Sequence, residues 1–217
     1  MPPGEHPPEF LIDGPAGPAP LTFVFAHGAG APRDTPFMNF FAEGLAARGW
    51  RVARFEFPYM ARRRGEGGRP PPDRQPVLLE TWRRVVAALG PEHLVIGGKS
   101  MGGRMASLIA DETGVRGLAC LGYPFHPAGK PERLRTGHLA DLKTPCLICQ
   151  GTRDALGSAE EVAGYALSGS IRLHWAADGD HDLKPRKASG RTTEQNWTAA
   201  LDTLDGFFRS LAFTIAQ

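Results

Sequence analysis

The sequence predicts an α/β fold, with a doubly wound, mostly parallel sheet of about six to seven strands flanked by helices. Short apolar runs alternate with longer helix-like stretches, and turn residues separate them. Most of these runs are continuously apolar, which is typical of parallel strands that are covered on both faces. The predicted strands are residues 21–26, 51–57, 93–97, 117–121, 145–150 and 170–175.

The predicted helices carry recognisable ends. Gly49 and Gly90 follow the first two, at positions where glycine commonly stops a helix. Thr192 and Gln195 have the spacing of a capping box at the start of the last helix. The predicted helices are residues 36–48, 75–89, 101–112, 159–167 and 193–211.

Length and charge limit the possible functions. A chain of 217 residues fits one domain, which we assign to residues 21–217 after a Pro/Gly-rich leader at residues 1–20. The formal net charge is only +2, so we expect no nucleic acid or membrane partner. The first residues lack the basic and apolar regions of a signal peptide, and no later run is long enough to span a bilayer. We therefore expect a cytoplasmic protein.

The three cysteines are predicted to be buried, reduced thiols. Cys120, Cys146 and Cys149 all lie in predicted strands, and an odd number gives no disulfide framework. Cys146 and Cys149 form a CxxC pair, but residues three apart on a strand point to opposite faces. We therefore expect no metal site at this pair.

Residues that follow the predicted strands carry the chemistry, because ligands of an open α/β sheet bind beyond the carboxyl ends of its strands. Ser100 follows the third predicted strand, within the sequence GKSMG at residues 98–102. The two glycines permit the tight strand-to-helix turn that presents a nucleophile above a sheet. We therefore predict that Ser100 is a nucleophile.

Two further residues complete a predicted triad. A serine needs a base to take its proton and a carboxylate to orient that base. Asp154 follows the fifth predicted strand and His181 follows the sixth, so the chain order is serine, acid, histidine. The N–H groups of Met101 and Ala29 are the predicted oxyanion donors, since Met101 starts a helix and Ala29 lies in the loop HGAG at residues 27–30.

Each of these residues also has an ordinary structural interpretation. Ser100 could be a turn residue, Asp154 a helix cap and His181 a surface histidine. Their joint order at the strand ends favours the triad. The segment at residues 98–100, GKS, also resembles the end of a phosphate-binding loop, but that loop requires a glycine where this chain has His93.

With these motifs the chain resembles the α/β-hydrolase superfamily, over residues 21–213. It looks most like the small branch without a large cap that includes dienelactone hydrolase and the testis-expressed and KANSL-type hydrolase-like proteins. The stretches that carry the resemblance are residues 27–30, 97–104 and 178–186. The resemblance implies Ser100, Asp154 and His181 as nucleophile, acid and base, with no metal or organic cofactor. Dienelactone hydrolase itself uses a cysteine nucleophile, so lactone chemistry is not implied.

Substrate contacts are assigned more broadly. The segment between the fourth and fifth predicted strands, residues 122–144, is too short for a large lid, so we expect an open pocket. Basic residues near its mouth, at residues 62–64 and 184–187, either select an acidic substrate or form a solvated surface. The candidate substrate-binding residues are His27, Gly28, Arg62, Arg63 and Lys99.

The sequence leaves three functions open. The first is hydrolysis of a carboxylic ester or thioester of a small molecule through an acyl-serine intermediate. The second is acyl transfer to another acceptor with the same residues. The third is a non-catalytic interaction protein with a hydrolase fold, as some hydrolase-like relatives are parts of larger assemblies.

Overall fold

A seven-stranded sheet forms the centre of the protein, as a computed structural model describes it over residues 9–17, 19–68 and 70–213. Its strands are β1 (Leu11–Asp13), β2 (Thr22–Ala26), β3 (Arg51–Phe55), β4 (Leu94–Lys99), β5 (Gly117–Leu121), β6 (Cys146–Gly151) and β7 (Ile171–Ala176). Their order in the sheet is β1-β3-β2-β4-β5-β6-β7, and only the β1–β3 pair is antiparallel. The predicted fold class is therefore confirmed, and strands β2 to β7 begin and end within two residues of the predicted positions.

Helices cover both faces of the sheet. They are α1 (Pro36–Ala47), α2 (Pro58–Glu66), α3 (Gln75–Leu89), α4 (Met101–Ser107), α5 (Ala110–Thr113), α6 (Ala159–Val162) and α7 (Thr193–Phe213). Short 3-10 turns lie at Pro91–His93, Gly137–Leu139 and Lys187–Ser189. In the described part of the chain, no separate cap is evident over the sheet. No helix among the described residues is long and apolar enough to cross a membrane.

Two apolar cores lie on opposite faces of the sheet. Helices α1 and α7 pack on one face, and α2 to α6 pack on the other. Strands β4, β5 and β6 are buried along their whole length, which explains their continuously apolar sequences. Cys146 lies in one core and Cys149 in the other, as the two-residue period of a strand requires. All three cysteines are free and buried.

The direction of chain winding reverses at β2. This strand pairs in parallel with β3 on one side and with β4 on the other, so the chain moves outward from β2 in both directions. Such a switch point leaves a crevice beyond the carboxyl ends of the two central strands. The loops after β2 and β4 therefore meet at one place.

Strand β1 is the element that the sequence analysis missed at the start of the chain. It lies within the segment predicted as a leader, yet it pairs with β3 at the edge of the sheet. Arg54 of β3 is 3% exposed and forms a two-pronged ion pair with Asp13, with both N–O distances at 2.8 Å. This buried pair fastens β1 to the sheet.

The helices depart from the predictions in three places. Helix α2 was not predicted, because only Tyr59 and Met60 of its nine residues are buried and it shows little apolar period. The predicted helix at residues 101–112 is interrupted after Ser107, whose hydroxyl donates to the carbonyl of Arg104. The predicted helix at residues 159–167 ends at Val162, two residues before Gly164.

The predicted capping box of α7 is confirmed. The backbone N–H of Gln195 donates to the hydroxyl of Thr192 over 3.1 Å. In return, the side-chain carbonyl of Gln195 accepts from the backbone N–H of Thr192 over 2.9 Å. The two bonds satisfy backbone donors that the first helical turn leaves unpaired.

We expect Gly97→Ala to destabilise the protein by about 2 kcal/mol or more, because a Cβ on this β4 residue would overlap the backbone of Ala119 on β5. Chemical denaturation measures the loss. The matched control is Gly137→Ala, where a Cβ meets no atom within 4 Å and stability should be nearly unchanged. Equal stability of both variants would contradict this account of the β4–β5 contact.

Candidate active site

Ser100 lies at a strained turn between β4 and α4. Its φ of 50° and ψ of −115° are unusual for a residue with a side chain. Gly98 and Gly102 allow this turn to approach the end of β2 closely, because a Cβ on Gly98 would overlap the carbonyl of Ala26 and one on Gly102 would lie 2.6 Å from the carbonyl of His27. The N–H of Ser100 donates to the backbone carbonyl of Leu121 on β5 over 3.0 Å, which anchors the turn to the sheet.

The three predicted triad residues form one hydrogen-bonded chain. The hydroxyl of Ser100 lies 2.8 Å from Nε2 of His181, and Nδ1 of the same ring lies 2.7 Å from Oδ2 of Asp154. The carboxylate accepts from Nδ1, which leaves Nε2 free to accept the serine proton. The arrangement therefore has the geometry that nucleophilic activation of Ser100 requires.

Asp154 is fully buried, and its carboxylate is held by hydrogen bonds. Oδ1 accepts from the backbone N–H of Leu156 over 2.8 Å, and Oδ2 accepts from the side-chain amide of Gln150 over 2.8 Å. Gln150 is itself fully buried and its amide oxygen accepts from the N–H of Tyr123. The sequence analysis missed Gln150, although a glutamine within an apolar strand is a recognisable anomaly.

Lys99 connects β4 to the loop that carries His181. Its ammonium donates to the carbonyl of His181 over 2.6 Å and lies 3.3 Å from a carboxylate oxygen of Asp182. The residue is 9% exposed, and the ammonium lies 5.4 Å from the ring centroid of Phe37. Burial lowers the pKa of Lys99, while the carboxylate of Asp182 opposes that shift. Lys99, which was predicted as a substrate contact, thus bonds strand β4 to the loop of His181.

His27 does not contact the pocket, which corrects its assignment as a substrate-binding residue. It is fully buried, its Nδ1 donates to the carbonyl of Gly28 over 2.7 Å, and its Nε2 accepts from the N–H of Phe57 over 3.1 Å. Burial lowers the pKa of this imidazole, so the neutral ring is favoured. Gly28, which was also predicted to bind substrate, lines the pocket, and a Cβ on it would lie 3.7 Å from Cβ of Ser100.

Arg62 and Arg63 also lie outside the pocket lining, contrary to their assignment. Arg62 forms an ion pair with Asp73 over 2.7 Å. Arg63 donates to the carbonyl of Gly30 over 3.0 Å. Both guanidinium groups are therefore bound to acceptors outside the substrate pocket's side-chain lining. Of the basic residues at positions 62–64 and 184–187, only Lys184 lines the pocket.

The pocket beside Ser100 has a volume of about 430 Å³, within the usual range for small-molecule sites. One wall is apolar and comes largely from the start of α1 and from α7. Polar side chains also line the pocket. The main apolar residues are Pro32, Phe37, Met38 and Trp197, and the polar side chains are those of Lys99, Ser100, His181, Asp182 and Lys184.

A family model for the alpha/beta hydrolase domain matches residues 19–209. The chain belongs to this family. The resemblance predicted from the sequence is thus confirmed, and the loops that surround Ser100 are those of an α/β hydrolase.

Solved structures support the same fold. A serine hydrolase homologue from Coxiella burnetii is 18% identical with a TM-score of 0.67, and 90% of each chain is covered. A serine hydrolase without a lid from Xanthomonas campestris is 21% identical with a TM-score of 0.63, over 87% of this chain and 84% of that one. Dienelactone hydrolase from Anabaena variabilis is 22% identical with a TM-score of 0.64, over 94% and 99%. At these identities the likeness establishes the fold alone.

A second serine–histidine pair lies at the end of α4 in this α/β hydrolase. The hydroxyl of Ser107 is 2.8 Å from Nε2 of His138 and 3.2 Å from the hydroxyl of Tyr123. Ser107 is 3% exposed and does not line the pocket beside Ser100. Burial, assisted by the charge of Arg104, lowers the pKa of His138 to about 4. The sequence analysis did not single out this cluster, which braces the end of α4.

Metal ligands were not predicted. Within the described ranges, no group of three or more His, Cys, Asp and Glu side chains is arranged to hold a metal ion. His126 and Glu161 approach each other to 3.4 Å, but as an isolated pair.

Lys99→Met should lower the free energy of unfolding by about 1–3 kcal/mol, because it leaves the carbonyl of His181 and the carboxylate of Asp182 without the ammonium. The control is Lys184→Met, which also removes a contact with Asp182 but lies at an exposed position. That loss should be below about 1 kcal/mol. Denaturant titrations of both variants measure the difference, and equally small losses would argue against a structural role for Lys99.

Stability should fall as the pH drops from the ordinary histidine value of 6.5 toward about 4, because His138 binds its proton in the unfolded chain before it does so in the folded one. His138→Gln, which cannot be protonated in this interval, should lose less. His27 and His174 also have lowered pKa values, so part of the loss of stability at lower pH should remain in the variant. Urea titrations at about pH 7 and about pH 5 measure the free energy of unfolding at each pH. An equal loss of this free energy in the wild type and in His138→Gln would refute the prediction.

Proposed function

We propose that this α/β hydrolase cleaves a carboxylic ester or thioester of a small substrate through an acyl-Ser100 intermediate. The observation that carries the proposal is the continuous hydrogen-bonded chain from Ser100 through His181 to the buried Asp154. The family and its esterase-like structural neighbours are consistent with this chemistry. His181 and Asp154 would act as base and orienting acid.

In the acylation step, the oxygen of Ser100 attacks the acyl carbon while Nε2 of His181 takes the serine proton. The tetrahedral intermediate then collapses, the bond to the leaving alcohol or thiol breaks, and His181 returns the proton to that group. In the second step water attacks the acyl-serine and gives a proton to His181. The bond to Ser100 breaks, the acid leaves, and the proton returns to the serine.

Negative charge that develops on the carbonyl oxygen would be stabilised by the N–H groups of Met101 and Ala29. Met101 is the first residue of α4, so its N–H has no acceptor within that helix. Ala29 lines the pocket in the loop after β2, next to Gly28, which lies beside Ser100. The two donors would thus come from the two loops that meet at the switch point of the sheet.

The buried carboxylate of Asp154 would balance the positive charge that His181 carries during the reaction. The imidazolium that forms after Ser100 loses its proton would be stabilised by Asp154 at 2.7 Å. The carboxylate keeps its position because Gln150 and Leu156 also donate to it. Water would have access for deacylation, since His181 retains 30% exposure of its side chain.

The pocket indicates the size and character of the acyl group. A volume of about 430 Å³ suits a small molecule. The wall formed by Phe37, Met38 and Trp197 would bury an apolar or aromatic portion. Lys184 at the rim would allow a polar or acidic substituent to face solvent.

We expect a fluorophosphonate probe to label the wild type and not Ser100→Ala, because the probe requires an activated serine nucleophile. Asp154→Asn should lower the rate of ester turnover by about 10⁴-fold, since the orientation of His181 is lost. Active-site labelling followed by intact-protein mass measurement, together with hydrolysis of short acyl esters, provides the measurement.

The matched control is Ser107→Ala. It removes a serine that also contacts a histidine, His138, but no carboxylate among the described residues pairs with that ring. It should label like the wild type. Equal labelling of wild type and Ser100→Ala would reject Ser100 as the nucleophile. Labelling without turnover of any ester would favour an idle triad, and products formed on an added alcohol acceptor would identify acyl transfer.

A further inference from the structure

The loop after β2 is held from one side by side chains. The hydroxyl of Tyr59 donates to the carbonyl of Ala29 over 3.0 Å and lies 3.4 Å from that of Gly28. The guanidinium of Arg63 donates to the carbonyl of Gly30 over 3.0 Å. Since the ring of His27 also donates to Gly28, three successive carbonyls each accept a side-chain donor.

These bonds fix the direction of the peptide planes. In a trans peptide, the carbonyl of one residue and the N–H of the next point in opposite directions. A carbonyl of Gly28 that faces His27 and Tyr59 therefore directs the N–H of Ala29 away from them. The bond from Tyr59 to the carbonyl of Ala29 directs the N–H of Gly30 in the same manner.

The pocket lies on the side opposite the donors. Residues 28–31 line it together with Ser100, whereas none of its described lining residues belongs to α2. Tyr59 is 1% exposed and its ring packs against that of His27 at a centroid distance of 5.8 Å. The carbonyls thus face the buried start of α2, and the N–H groups of the same peptides point away from it.

Packing alone would leave this loop free to rearrange. Gly28 and Gly30 lack side chains, and even an added Cβ on Gly30 would meet no atom within 4 Å. Glycine peptides lose the most conformational entropy when they are ordered. Donors that stabilise an oxyanion are effective only when they are already oriented before the reaction. The side-chain bonds to the carbonyls supply that order.

Hydrogen bonds to Asp73 fix the start of helix α2, which carries Tyr59 and Arg63. The backbone N–H of Tyr59 donates to Asp73 over 2.8 Å, and the same carboxylate pairs with Arg62 over 2.7 Å. Burial raises the pKa of Tyr59, so its hydroxyl remains a donor across the physiological range. The first turn of α2 is therefore a fixed support beneath the loop.

We propose that Tyr59 and Arg63 are positioning residues: Tyr59 orients the N–H groups of residues 29 and 30 toward the oxyanion formed at Ser100, and Arg63 fixes the next peptide plane, whose N–H belongs to residue 31. They would act through the loop and would not touch the substrate. This inference rests on the proposed acyl-serine chemistry, and it gives α2 a role in the rate of the chemical step.

The test is the rate of phosphonylation by a fluorophosphonate, whose developing oxyanion needs the same donors. In Tyr59→Phe we expect the limiting rate to fall by about tenfold or more, while the concentration for half-saturation changes less than about twofold. Loss of an oxyanion donor itself costs about 10²–10³-fold, so a misdirected one should cost less. Arg63→Met should show a smaller fall of the same kind, and Arg63→Lys, which keeps a donor, should recover most of the rate.

The control is Tyr165→Phe, which removes a hydroxyl from a tyrosine that packs on Phe125 outside the pocket lining. It should react like the wild type. Folded Tyr59→Phe and Arg63→Met proteins with a wild-type limiting rate would overturn the positioning role. A change only in the probe concentration that gives half-saturation would overturn it as well. If Tyr59→Phe does not fold, the partly exposed Arg63 decides the question. Absence of labelling at Ser100 in the wild type would instead reject the proposed function and, with it, this inference.

Discussion

The close approach of β2 and β4 at their carboxyl ends is the constraint on which the rest of the site depends. Gly98 and Gly102 bring the turn at Ser100 against the carbonyls of Ala26 and His27, where a larger residue would collide. Ser100 then has a positive φ that only the surrounding backbone can maintain. Without this approach, the loop after β2 would not lie beside Ser100.

Buried polar groups hold the remaining loops in register with that turn. Lys99 of β4 binds the backbone of His181, and Gln150 of β6 binds Asp154, so both partners of the serine are tied to strands of the sheet. A buried polar group left unpaired costs about 1–3 kcal/mol, which makes each of these contacts specific as well as stabilising. The site is thus rigid because its bonds are internal to the sheet and to the loops that leave it.

The same principle extends to the loop after β2. Its glycines permit the backbone to pass close to Ser100, but they contribute no packing of their own. The side chains of His27, directly after β2, and of Tyr59 and Arg63 in α2 bind its carbonyls. A helix that does not line the pocket can therefore influence the chemistry in it, through peptide planes whose two polar groups point in opposite directions.

Much of this protein follows from its sequence alone. The continuously apolar strands, the helix caps and the serine–acid–histidine order depend on local pattern, so they predicted the parallel sheet and the residues Ser100, Asp154 and His181. Strand β1 and helix α2 escaped prediction because their stability comes from partners distant in sequence, as with the pair of Arg54 and Asp13. Only the tertiary structure decided that His27, Arg62 and Arg63 bind partners outside the pocket. Long polar side chains bind whichever partner the folded backbone places within reach, and a local sequence pattern does not specify that partner.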